Sequence, residues 1–154
     1  MSQRHAPAIS TLVRWRAFQE AVAERVCQQA AGRVLESATA LQSARTDADA
    51  IVRRRSEMLD AGMIDLGLLQ IVAEFERKAW DVVDARRDTL RMHERERDDA
   101  LAEHLAARTR TQVAETRRDR VVAEARDQEE KRLFDRMASL LVASTAAAPH
   151  GESA

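Results

Sequence analysis

With 154 residues, a third of them charged, 3% aromatic and no Tyr, the chain is long enough for one domain but too poor in large side chains for a thick globular core. Its 25 basic and 26 acidic groups nearly cancel, which argues against a general polyanion binder, and a lone Cys27 excludes an internal disulfide and suits a reducing compartment. The only prolines are Pro7 and Pro149, and strand-length β-branched clusters are missing, so helices of unusual length are expected.

Residues 1–9 read as a flexible tail, and Ser10 is the best available N-cap for a first helix over about residues 10–61. No signal-peptide core and no run of about 18 uncharged apolar residues occurs, so the expectation is a cytoplasmic protein with no direct membrane insertion. From Val34 onward, Val34, Ala38, Leu41, Arg45, Ala48, Val52, Arg55 and Leu59 alternate steps of four and three, the spacing of a coiled-coil seam. Upstream, Trp15, Phe18, Val22, Val26 and Ala30 extend the stripe with steps nearer four, so the seam is expected to drift around the helix there. Gly32 weakens this arm by roughly 1 kcal/mol relative to Ala without ending it.

Helix signals stop and restart in one place. Gly62 can take the left-handed conformation at the end of the first helix, with Met63 falling back on Met58 as in a Schellman ending. Asp65 then serves as N-cap for a second helix, with Ile64 and Leu69 placed as a hydrophobic staple. A turn over residues 62–65 has the length of an αα-hairpin connection, and a continuous helix kinked at Gly62 is the alternative. The second helix, over about residues 66–143, carries Leu68, Val72, Phe75, Ala79, Val82 and Arg86 at the same four-and-three spacing. A turn centred between Met63 and Ile64 pairs residue j with residue 127 − j. That register sets Leu59 against Leu68 and Val52 against Phe75, but also Leu41 against Arg86 and Val34 against His93, which leaves the middle thin.

The fold class is therefore all-α: two long helices in an antiparallel coiled-coil hairpin with unequal arms. At 1.5 Å per residue the arms measure about 75 Å and about 115 Å, so residues 118–143 have no partner within the hairpin. They still carry Val121, Val122, Ala125, Leu133, Phe134, Met137, Leu140 and Leu141, which another molecule covers or the N-terminal residues fold back upon. Near the turn, Leu69, Ala73, Trp80 and Val83 flank the expected seam, and Trp80 is either a partner's anchor or a cover over the seam's shoulder. Residues 144–154 have the small, polar make-up of a disordered tail.

No catalytic, cofactor or metal constellation emerges. His93 and His104 lack an H-E-x-x-H partner, no Gly-rich loop can cradle phosphate, and the mixed charges from Arg91 to Asp99 read as a solvated helix face. The basic run Arg108, Arg110, Arg117, Arg118 and Arg120 is broken by Glu115 and Asp119 and has no interleaved aromatics, so nucleic acid is not an expected partner.

The turn Ala61-Gly62-Met63-Ile64, the segment Val72-Ala73-Glu74-Phe75-Glu76-Arg77-Lys78-Ala79-Trp80 and the ending from Glu129 to Met137 resemble the FliJ/YscO family over roughly residues 11–141. These are central-stalk proteins of flagellar export and type III secretion ATPases. The resemblance implies a cytoplasmic, non-enzymatic protein, peripheral to a membrane-bound flagellar or virulence-associated secretion apparatus, that inserts its terminal end into a hexameric secretion ATPase. Carried over by position, Val122, Leu133, Phe134, Met137, Leu140 and Leu141 would touch the ATPase ring. Phe75, Trp80 and Val83 would lie nearest a membrane export-gate protein, and handling of export chaperones is also implied. The competing expectation is a homo-oligomeric coiled-coil scaffold or adaptor whose overhangs pair with each other.

Overall fold

A computed structural model describes residues 5–62 and 65–146, with side chains over 8–62 and 65–145. Met63 and Ile64, and hence their expected contacts with Met58 and Leu69, lie outside the described residues, as do the outer parts of both expected tails. Two helices account for nearly everything described: α1, His5–Asp60, of 56 residues, and α2, Leu66–Ala146, of 81. They pack as an all-α hairpin with unequal arms and no strand among the described residues.

The turn follows from its local chemistry. Gly62 sits at φ 69°, the left-handed region, and its N–H donates to the Leu59 carbonyl at 3.1 Å while the Ala61 N–H donates to Glu57 at 3.0 Å. These bonds occupy carbonyls that α1 would leave open at its last turn. On the other side, one Asp65 carboxylate oxygen accepts from the Gly67 N–H at 2.9 Å and the Leu68 N–H at 3.2 Å, the N-cap geometry expected of it.

The outer bounds differ from expectation. α1 begins at His5 rather than Ser10, because Pro7 falls in its first turn, where a missing N–H costs no helical bond. α2 continues to Ala146, three residues past the expected end.

The hairpin divides into two compact units, Glu20–Ala107 with the turn, and Met1–Gln19 together with Arg108–Ala154. In the first unit the covered stripe of α1 runs Cys27, Ala30, Val34, Ser37, Leu41, Ala44, Ala48, Ile51, Arg55 and Met58, in unbroken steps of three and four. That of α2 runs Leu69, Val72, Glu76, Ala79, Val83, then Leu90, His93, Arg97, Ala100, His104 and Ala107, with Arg86 at the intervening place but exposed. Half of each stripe is the one expected. The other half lies one residue away: Ala44 and Met58 replace Arg45 and Leu59, Ser37 and Ile51 share cover with the half-buried Ala38 and Val52, and Leu69, Glu76 and Val83 replace Leu68, Phe75 and Val82. Neighbouring apolar pairs such as Ile51 with Val52, Met58 with Leu59 and Val82 with Val83 satisfy either phase, so spacing alone does not select between them.

The register also differs. The numbers of paired residues total 129 for Arg33 and Glu96, 130 for Ser37 and His93, and 131 for Arg55 and Glu76, instead of 127. The slide of two to four residues grows toward the turn, where it reaches about one helical turn. It removes the expected clash of Leu41 with Arg86, since Leu41, Ala44, Ala48 and Val83 form one buried cluster with Ala79 and Leu90 against it. It also sets unlike charges and polar groups face to face. Ser37 Oγ donates to the Arg33 carbonyl at 2.8 Å, which leaves it to accept from His93 Nδ1 at 2.5 Å. Arg55 Nη1 and Glu76 Oε2 lie 2.5 Å apart without hydrogen-bond alignment, so their attraction is coulombic.

Two substitution pairs test this geometry by thermal or denaturant unfolding. Val83→Ala removes the largest fully buried side chain and is expected to cost on the order of 2 kcal/mol, whereas Val82→Ala, half exposed, should stay within about 0.5 kcal/mol. Nothing lies within 4 Å of a Cβ added at Gly32 or Gly62, so Gly32→Ala in the helix should stabilise by about 1 kcal/mol, and Gly62→Ala at positive φ should destabilise by about 1–2 kcal/mol.

Candidate partner-binding surfaces

In the unit made of residues 1–19 and 108–154, the seam continues through Val13 and Arg16 on α1 and through Thr111, Ala114, Arg118 and Val121 on α2. Among the residues whose side chains are described, Ile9 on α1 and Val121 on α2 are the outermost covered positions. From Val122 to Thr145 every side chain of α2 is exposed. Phe134 is 73% exposed, Leu140 70%, Leu141 65% and Met137 63%, and Leu133 and Val122 are over half exposed. All six residues expected on the terminal surface thus lie open.

Their direction around the helix is less obvious. Continuing the seam's stepping past Val121 gives Ala125, Gln128, Arg132, Asp135 and Ser139, a mostly polar row. Leu133, Phe134, Met137, Leu140 and Leu141 lie on the opposite side, roughly 180° around at about 100° per residue. A chain that prolonged α1 along the seam would therefore meet the polar row and miss the apolar one.

The surface near the turn is not the one the sequence suggested. Val83, expected on an exposed flank, is fully buried in the seam, and Leu69 is half-buried there too. While the hairpin is closed Val83 cannot touch another molecule. Trp80 is 39% exposed and is next in sequence to the half-buried seam residue Ala79. Phe75, expected within the seam, is 59% exposed, because Glu76 takes that place opposite Arg55. Leu68, Ile71, Phe75 and Val82 together form an open apolar row on α2.

A further aromatic surface escaped the sequence reading. Trp15 and Phe18, expected in the seam from their spacing, are 54% and 59% exposed and stack on each other with centroids 5.8 Å apart. Val22 and Val26, expected in the same stripe, are also exposed. The signal that could have found them is the strict alternation, which counted back in sevens from Val34 and Ser37 gives Cys27, Ala30, Glu20, Ala23, Val13 and Arg16.

Elsewhere the polar chemistry is that of a solvated helix. Ion pairs of Arg87 with Asp84, Arg91 with Asp88 and Arg126 with Glu130 follow helical spacing at exposed positions. Asp98 holds the Arg97 guanidinium above its ordinary pKa through a hydrogen bond and its charge, so Arg97 stays protonated. His104 Nδ1 is buried without a hydrogen bond. Among the described residues no group of three His, Cys, Asp or Glu side chains converges as metal ligands, and no helix is long and apolar enough to cross a membrane.

No family model, no curated protein and no solved structure matches the chain.

Because the terminal apolar row rests on nothing, the double change Leu133→Asp with Phe134→Asp is expected to leave the unfolding free energy within about 0.5 kcal/mol. Binding of a hydrophobic dye should fall with it. A loss of several kcal/mol would mean that these side chains are packed.

Proposed function

We propose that the chain is a non-enzymatic central-stalk component of a type III secretion or flagellar export apparatus, which inserts its terminal helix into the pore of a hexameric ATPase and links it to a membrane export gate. The observation that carries this reading is the terminal stretch of α2: an amphipathic helix whose large apolar residues are all exposed, at the end of a hairpin with charges of both signs on its surface. A shaft inside a ring needs many weak contacts and none that locks it to one wall, and mixed charge with a short apolar tip meets that requirement.

The resemblance to the FliJ/YscO family supplies the identity of the ring. Val122, Leu133, Phe134, Met137, Leu140 and Leu141 would contact it. Phe75 and Trp80 would face the gate, with Leu68, Ile71 and Val82 beside Phe75 in place of the buried Val83. The protein would work near the inner membrane surface from the cytoplasm and could pass export chaperones along the same outer face. With no catalytic group of its own, it would alter ATP turnover by binding one ring conformation more tightly than another.

Adding the purified chain to the export ATPase of the same cell should raise hydrolysis several-fold and promote ring formation. The Leu133→Asp, Phe134→Asp variant should do neither while its melting temperature stays unchanged. If the native chain alters neither hydrolysis nor ring formation, the stalk reading is wrong.

A further inference from the structure

The five large side chains of the terminal row are spaced as a palindrome about Met137: Leu133 and Leu141 stand four residues to either side, and Phe134 and Leu140 three. We infer that this row pairs with the same row of a second copy, antiparallel, across a two-fold axis through Met137. In that arrangement Leu133 lies against Leu141 of the second copy, Phe134 against Leu140, and Met137 against Met137. Such an interface is isologous, and it requires a patch that matches itself when turned end for end. A row with steps of one, three, three and one meets this condition, since large apolar residues then face large apolar residues at every place.

The surroundings agree. Met137 lies near the middle of the row in direction as well as in sequence, so the axis passes through the centre of the apolar arc. Just N-terminal to the row, Glu130 and Arg126 share its side of the helix and are bonded to each other at 3.1 Å. The pairing sets Glu130 against Ser144 of the second copy, which forms a polar rim around an apolar centre. Because the row points away from the seam, a second copy approaches without meeting α1.

Affinity is limited by size. Ten large apolar side chains enclose an area near the low end for specific association, on the order of 1,000 Å². Arg136 of each copy also comes to the same flank near the axis. The pairing is therefore weak and concentration-dependent, and it yields to any partner that covers the same row more completely. It does not depend on the ATPase reading: a chain that never meets a ring would still pair in this way.

Disulfide trapping in a Cys27→Ser background tests the geometry at high protein concentration. Met137→Cys should cross-link to itself readily. Leu133→Cys alone and Leu141→Cys alone should not, since their own copies then stand about 12 Å apart along the axis. The two mixed should form a heterodimer. Ser139→Cys, exposed on the opposite side of the helix, sets the level for random collision. Equal self-linking at 133, 137 and 141 would mean parallel pairing. Linking at 137 no greater than at 139 would mean that another molecule, not a second copy, covers this row. Either result overturns the inference.

Discussion

Two helices can stay in contact over many turns only if both keep the same beat, and within residues 20–107 both step by three and four along the covered stripe, with the Arg86 place alone left exposed among the described residues. Everything else follows from where that agreement stops. On α2 the covered stripe ends at Val121, yet the helix runs on for another 25 residues to Ala146. The apolar residues of that extension lie on the other side of the helix, so they belong to a different contact.

The seam itself is built from small and polar groups. Ala30, Ala44, Ala48, Ala107 and Ala114 are buried, and Val83 is the largest side chain buried completely. Buried alanines bring little apolar area each, and the polar pairs across the seam stabilise less than they specify. The specification is nevertheless valuable. Ser37 with His93, Arg33 with Glu96 and Arg55 with Glu76 all select one register, and a slip by a turn would separate every one of them. The arms are thus held loosely but in one alignment, while larger residues such as Phe18, Phe75 and Trp15 are left on the outside.

This division explains which features were legible in the sequence. The turn was, because its signals are local: Gly62 takes the positive φ that other residues avoid, and Asp65 bonds the first free N–H groups of α2. The helical hairpin and its unequal arms were legible for the same reason, since nothing between Pro7 and Gly62 or between Asp65 and Pro149 could end a helix. The seam's phase was only half legible. Counting four and three from Leu68 put Phe75 and Val82 inside and Val83 outside, although Glu76 and Val83 are the covered ones. Spacing misleads where neighbours such as Val82 and Val83 fit either phase, and the polar pairs across the seam, not the apolar ones, fix which is used. The register was missed because the turn's midpoint does not set it; the cross-arm pairs do. Exposure of the terminal row was legible from the difference in arm length, but its direction required the seam's true phase.

On α2 cover ends at Val121 while the helix does not. Residue-resolved amide hydrogen exchange on the isolated chain, at a concentration too low for self-association, measures this directly. The account predicts slow exchange on α2 within the covered stretch, falling steeply beyond Val121 so that residues 122–145 exchange at rates near those of an isolated helix. Uniform protection from Leu66 to the end of α2 under the same conditions would contradict it.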